Sequence, residues 1–423
     1  MNKRQKIHNQ VFYYGLVLVA ITLPFSLLAN SLSMMIVVLN WIAEGNYSQK
    51  IKSIKNNFLF FLFILFYFLY IMGMFYTTNM RDGLFELQKK IPLLVFPVIL
   101  ATSCKLSLTR IENIMKLFFC SILTASLICL GYAAYRTNIF KTYDQPDWLS
   151  FSYKDLTAVI RIQHTYLALY VSFSIFILFY FLIKNYSYYN WLKKICSFFL
   201  VFYFTIFLFL LASRITIAAL IIISFSGIIY WFYKKHKLFK GFLVLSIISL
   251  SLITIIFQLP FMKERFLFTL GIEQKTVLIN QYGDGKNVTP EMRPFVWQCA
   301  WNGIRSNWFL GVGTGDVQET LQAQYKNINL NEAYNAEYNA HNQYIETWLG
   351  LGIIGLLSLL ACMVAPIILA FRQMNYIYLS FILLFFICCF TESLLCRQQG
   401  VVFYALFNSV FAFHYKLKNH ENA

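Results

Sequence analysis

Apolar runs about the length of a membrane-crossing helix recur from one end of the chain to the other, and short clusters of Lys, Asn and Tyr close most of them. A helix needs about 20 apolar residues to cross the roughly 30 Å hydrocarbon core of a bilayer. The pattern predicts twelve spans, at roughly 11–29, 31–43, 57–76, 91–104, 113–135, 164–183, 194–211, 215–233, 240–258, 344–371, 375–394 and 397–415. Only Ser213-Arg214 separates the seventh from the eighth, and a single long polar stretch, 259–340, interrupts the series. A membrane β-barrel would instead show ten-residue segments of alternating polarity. The chain therefore reads as an all-α polytopic membrane protein in three parts: residues 1–258 with about nine spans, an extramembrane loop at 259–340, and residues 341–423 with about three spans.

Composition agrees. Charged residues make up 13% of the 423, about half of what a soluble domain carries. The net charge of +17 raises the question of nucleic acid, but the placement of the charges answers it. With the N-terminus in the cytoplasm, the short inner connections hold 19 Lys and Arg and the short outer ones hold 9. That asymmetry is the positive-inside rule, and the basic residues then face anionic membrane lipids rather than nucleic acid. It places both termini inside and the 259–340 loop, with His341 at its end, outside. The N-terminal Asn2-Lys3-Arg4-Gln5-Lys6 before an apolar run mimics a signal peptide, yet so many spans follow that it reads as an uncleaved first helix. Of the nine cysteines, six lie in apolar runs and Cys299 stands alone in the loop, so no disulfide closes within it and no Cys/His zinc spacing is present.

The loop has helical order of its own. Thr289-Pro290-Glu291 reads as a helix start, and Arg293, Trp297 and Trp301 then recur on one face. Gly311-Val-Gly313-Thr-Gly315 ends that helix. It lacks the spacing, the preceding strand and the Lys-Ser/Thr of a nucleotide loop. Asp316 with Glu319 reads as a capping box opening a second helix, and 328–340 reads as helical. The expectation is a small helical cap lying on the membrane.

A few polar side chains stand out against this background. Arg214 interrupts two long apolar runs, an expensive place for a cation unless it serves a cavity or a partner. Arg293 offers a rigid fork of donors suited to phosphate oxygens, with Arg305, Lys263 and Arg265 as weaker candidates that suit lipid headgroups equally well. His164 opens a span, with Arg161 before it and Tyr166 after it. His341 lies at the outer boundary of the tenth span, and histidine is the side chain that titrates nearest neutrality. Gly352 and Gly355 suit close helix packing in a membrane. Glu346 falls off the His341 face and reads as interfacial. Glu392 and Arg397, five apart across the last turn, read as a structural ion pair.

The spacing His341-Asn342, nine residues, Gly352, two residues, Gly355 resembles the signature of the O-antigen ligase/polymerase superfamily. Ser213-Arg214 after a tight outer turn, and Arg293 followed by a tryptophan-bearing helix and a Gly-x-Gly-x-Gly turn, resemble it too. His164-Thr-Tyr166 stands where the family often has His-Pro-x-Tyr, without the proline. The resemblance is carried by residues 161–400. It implies a GT-C-like fold on the bacterial inner membrane with the active site on the periplasmic side. It also implies transfer of a glycan from undecaprenyl pyrophosphate to an acceptor hydroxyl, without metal or cofactor. His341 would be the general base and Arg214 and Arg293 the pyrophosphate ligands. Arg161, His164, Tyr166, Arg305 and Asn342 would be further substrate contacts, and Gly352, Gly355, Glu392 and Arg397 would hold the frame. A ligase using lipid A-core as acceptor is the first expectation. A polymerase adding to another lipid-linked glycan, or a transferase to protein Ser or Thr, is the alternative. A transporter of lipid-linked sugars is the reading from a different class, but such proteins often show internal repeats, and none is visible here.

Overall fold

The computed structural model describes residues 3–139, 151–236 and 292–415, and every regular element among them is helical. In chain order they are α1 (Lys3–Thr22), α2 (Leu27–Glu44), α3 (Tyr47–Ile54), α4 (Phe58–Gly73), α5 (Met80–Lys90), α6 (Pro92–Thr102), α7 (Leu108–Ile139), α8 (Tyr153–Thr157), α9 (His164–Lys184), α10 (Trp191–Leu210), α11 (Arg214–Lys234), α12 (Arg293–Ser306), α13 (Val317–Asn327), α14 (Asn331–Asn335), α15 (Gln343–Arg372), α16 (Tyr376–Cys388) and α17 (Gln398–His414). The expected span at 240–258, the helix start at Thr289–Glu291, and Lys263 and Arg265 lie outside the described residues.

Each of the other eleven expected spans coincides with a helix, but not all of these helices are long and apolar enough to cross a bilayer by themselves. Six of the described helices are long and apolar enough, or seven if α3 and α4, bent by 100°, count as one broken span. The eleven residues of α6 cover only about 16 Å at 1.5 Å per residue, about half of the hydrocarbon core. The first break also sits earlier than the apolar pattern suggests. Pro24 cannot continue a helix, and Ser26 caps α2 by accepting from the Ala29 amide at 3.2 Å, so α1 ends at Thr22.

Burial sorts the long helices. α9 is central, with 78% of its most apolar window covered by protein, while α2, α10 and α11 are covered over only about a fifth of theirs and form the rim. Around α9, rings from α7, α16 and α17 interlock: Phe118, Tyr170, Phe173, Phe381, Phe403 and Phe407 lie within tilted or edge-on contact of one another. α15 packs on α4 and α16, and α17 on α6. The molecule is thus a multi-pass membrane protein whose C-terminal helices are clasped from several sides.

The cap is real but less helical than expected. α12 and α13 bury a small core of Val296, Cys299, Ala300, Ile304, Leu321 and Tyr325 against Leu349 of α15. Within 328–340 only the short α14 is helical. α12 carries proline in its first turn, where a missing amide costs nothing.

Candidate functional site

The cap reaches the bundle through its glycine turn. The Val312 and Gly313 amides donate to the carbonyls of Leu349 and Gly350 at 2.8 and 3.0 Å, and the Ile353 amide donates to the Trp308 carbonyl at 2.9 Å. Trp348 Nε1 adds a second bond to the Trp308 carbonyl at 3.0 Å. This seam requires α15 to break at Gly352, whose φ of 65° and ψ of −169° are open to glycine alone. A Cβ there would stand 2.0 Å from the Phe309 carbonyl oxygen. Gly352 therefore serves the docking of the cap backbone. Gly355 packs against its own helix, a Cβ there meeting the Leu351 side chain. The expectation that the pair lets two helices approach is corrected on both counts.

Asp316 is likewise redirected. It makes no side-chain cap on α13. Its carboxylate accepts the Thr78 and Asn79 amides at 2.8 Å each, tying the cap to the turn before α5.

With the cap docked, α12 presents the face that its spacing predicted. Trp301 meets Trp348 edge-on at 5.3 Å, and Trp297 Nε1 donates to the Ala340 carbonyl at 3.0 Å. Arg293 Nη2 donates to Glu392 Oε1 at 3.3 Å. The other oxygen of that carboxylate, Oε2, lies 3.5 Å from His341 Nδ1. One carboxylate thus stands between the two side chains that the sequence marked as anion ligand and base. All three are largely enclosed, their side chains 16–24% exposed. Arg293 Nε is buried without a hydrogen-bond partner among the described residues, so the guanidinium keeps a donor available. Glu392 hydrogen-bonds Arg293 and approaches His341 without forming a hydrogen bond to it, and the expected Glu392–Arg397 ion pair is not among the contacts of the described residues.

The backbone at the histidine is held firmly. His341 adopts a left-handed φ of 45°, tolerated by histidine better than by most residues. Three successive amides are each accepted by a side chain: Ala340 by Glu346 Oε2 at 2.8 Å, His341 by Asn339 Oδ1 at 2.9 Å, and Asn342 by Ser393 Oγ at 3.2 Å. Asn342 caps α15, its Oδ1 accepting from Tyr344 and Ile345, so that oxygen is committed to the helix rather than to a substrate. Gln343 stitches the helix start to the turn that carries Glu392. Its amide donates to the Cys389 carbonyl at 2.8 Å and its Oε1 accepts the Leu395 amide at 2.6 Å. Glu346, Gln343 and Ser393 were not singled out as site residues in the sequence. Their only signal there was polarity inside apolar stretches.

Arg214 is exposed at the first residue of α11, which packs on α9 and α16. Arg161 is exposed, in a left-handed turn with φ of 53°. His164 is buried at the start of α9 with its ring 4.0 Å from that of Tyr153. Tyr166 donates to the Leu394 carbonyl at 3.4 Å, bracing the turn after Glu392. Arg305 is exposed at the end of α12. Arg397 opens α17 as its N-terminal flanking residue. At the 394–396 turn lies a charged cluster whose lysines read from the sequence only as markers of topology. Lys89 and Lys90 pair with Glu86, and Lys89 Nζ donates to the Cys396 carbonyl at 3.2 Å. Among the described residues no three metal-ligating side chains gather at one point.

A family model described as O-antigen ligase matches residues 198–360. The matched stretch runs from α10 through the cap into α15, so it contains Arg214, Arg293 and His341. The superfamily to which the motifs pointed is thereby shown for this part of the chain. No curated protein matches it.

Proposed function

From that match over residues 198–360, we propose that this protein is a GT-C-like glycosyltransferase of the bacterial inner membrane. In this reading it moves a glycan from undecaprenyl pyrophosphate to an acceptor hydroxyl, as an O-antigen ligase whose acceptor is lipid A-core. The observation that carries the reading is the meeting of Arg293 and His341 at Glu392, three residues from three distant segments.

The chemistry assigned to the site is a displacement at the anomeric carbon. The acceptor oxygen bonds to C1 as its proton passes to the imidazole of His341, a general base. The bond from C1 to the pyrophosphate oxygen breaks, and its electron pair leaves with undecaprenyl pyrophosphate. Attack opposite the leaving group inverts the anomeric centre. The charge that gathers on the pyrophosphate is met by guanidinium groups in place of a divalent cation, with Arg293 and Arg214 in that role. Glu392 holds the imidazole and the guanidinium in register and stabilises the imidazolium that forms. Arg161, His164, Tyr166 and Arg305 remain candidate contacts for the donor's glycan or headgroup. The periplasmic face is assigned from the 19-to-9 distribution of basic residues.

The surface glycans of a deletion strain test the activity. Full-length polysaccharide left on the lipid carrier, with bare lipid A-core, is the expected result. Single repeats on lipid A-core would make the protein a polymerase, and loss of glycans from proteins alone would make it a protein transferase. Unchanged glycans in all three pools would overturn the assignment.

A further inference from the structure

We infer that Glu346 is a positioning residue for His341, a role that rests on the proposed function of His341 as base. Glu346 lies in the first turn of α15 and is part-buried. Its Oε2 accepts the amide of Ala340, the residue immediately before the histidine, at 2.8 Å. Its Oε1 lies 3.5 Å from Cys396 Sγ, in the turn that follows Glu392. One carboxylate therefore ties the loop bearing the base to the turn bearing the base's partner.

The tie matters because of the backbone it holds. His341 sits in the left-handed region, so its orientation depends on the amides on either side being fixed. Ser393 fixes the following one and Glu346 the preceding one. Ala340 is fully buried, so without Glu346 its amide has no water to turn to, and a buried donor without an acceptor drives the loop to rearrange. The Ala340 carbonyl is simultaneously held by Trp297 of α12, which starts at Arg293. A shift at Ala340 therefore moves the imidazole relative to both Glu392 and the arginine. The Cys396 end is backed in turn by Lys89 on its carbonyl.

The full-length protein, purified with the lipid-linked glycan extracted from its own strain and the matching acceptor, tests this. Glu346→Leu should lower kcat by about tenfold to a hundredfold, the cost of misplacing a catalytic group by about an ångström. Its thermal midpoint should fall slightly, as one buried amide loses its acceptor, while its binding of undecaprenyl pyrophosphate should stay at the wild-type level. Glu346→Gln keeps an acceptor for the Ala340 amide and should recover most of kcat. Glu346→Asp keeps the charge but falls short of the amide, and should behave like the leucine variant, which also covers a leucine variant that fails to fold. The inference is overturned if the leucine and aspartate variants turn over normally, if glutamine fails as badly as aspartate, or if undecaprenyl pyrophosphate binding is lost along with kcat. His341→Ala separates the two layers. If it is inactive while Glu346→Asp is normal, the positioning role alone falls. If it is fully active, the assignment of the base falls as well.

Discussion

Replacing Gly352 with alanine should undock the cap. The residue holds a backbone conformation that costs about 1–3 kcal/mol for any other side chain. The new Cβ would also stand 2.0 Å from the Phe309 carbonyl oxygen, so the seam has to open there. Opening it sacrifices one or two of the bonds between the 308–313 turn and the 349–353 segment, each with a net value of about 1 kcal/mol. The expected loss is about 2–5 kcal/mol. Because α12 is held through this seam, Arg293 should leave Glu392 and transfer should fall together with stability. The assay is thermal unfolding in nanodiscs, paired with glycan transfer on the same preparations. Gly227→Ala is the control: a Cβ there meets nothing within 4 Å, and alanine is the better helix former by about 1 kcal/mol. If Gly352→Ala unfolds and transfers as the wild type does, the docking role is wrong.

Three further outcomes follow from the same geometry. Glu392→Gln removes the charge that Arg293 and His341 share, and should lower kcat by about tenfold to a hundredfold, read in the purified transfer assay; an unchanged kcat would make the carboxylate a bystander. Lysine at Arg214 or Arg293 keeps the charge but loses the fork, so both variants should bind undecaprenyl pyrophosphate more weakly, and full binding by both would remove the anion site. Burial by itself disfavours the Glu86 carboxylate, but Lys90 and Lys89 outweigh it and hold its carboxyl below the ordinary 4.5. A depressed carboxyl stabilises the fold above its unfolded pKa, and that contribution is lost as pH falls from about 4.5 through the folded value. The wild-type thermal midpoint should therefore drop more steeply below about pH 4.5 than that of Glu86→Gln, and coincident acid profiles would show that the cluster contributes nothing.

The all-helical membrane class was legible because it depends on bulk hydrophobicity, which every window of the chain reports. Helix ends were read less well. Pro24 and Ser26 moved the first break, and α6 and α16 are shorter than the apolar runs that predicted spans there, because apolar runs record burial as much as membrane crossing. The shared face of Arg293, Trp297 and Trp301 was visible since helical spacing is local. The meeting of Arg293, His341 and Glu392 was not, because it is made by the cap seam and the Gln343 stitch, contacts between segments that no local pattern encodes. The same reason explains why Gly352 suggested helix packing rather than a docking seam, and why Glu346 looked incidental.

The central claim is that His341 takes the acceptor's proton, and one comparison tests it most directly: single-turnover transfer by wild type and His341→Ala, reconstituted with the extracted lipid-linked glycan and acceptor in the presence of a chelator. The wild type should transfer undiminished, while the alanine variant binds undecaprenyl pyrophosphate normally and transfers about 10²–10⁴-fold more slowly. Near-normal transfer by the variant, or wild-type activity that vanishes in chelator and returns with magnesium or manganese, would contradict the account.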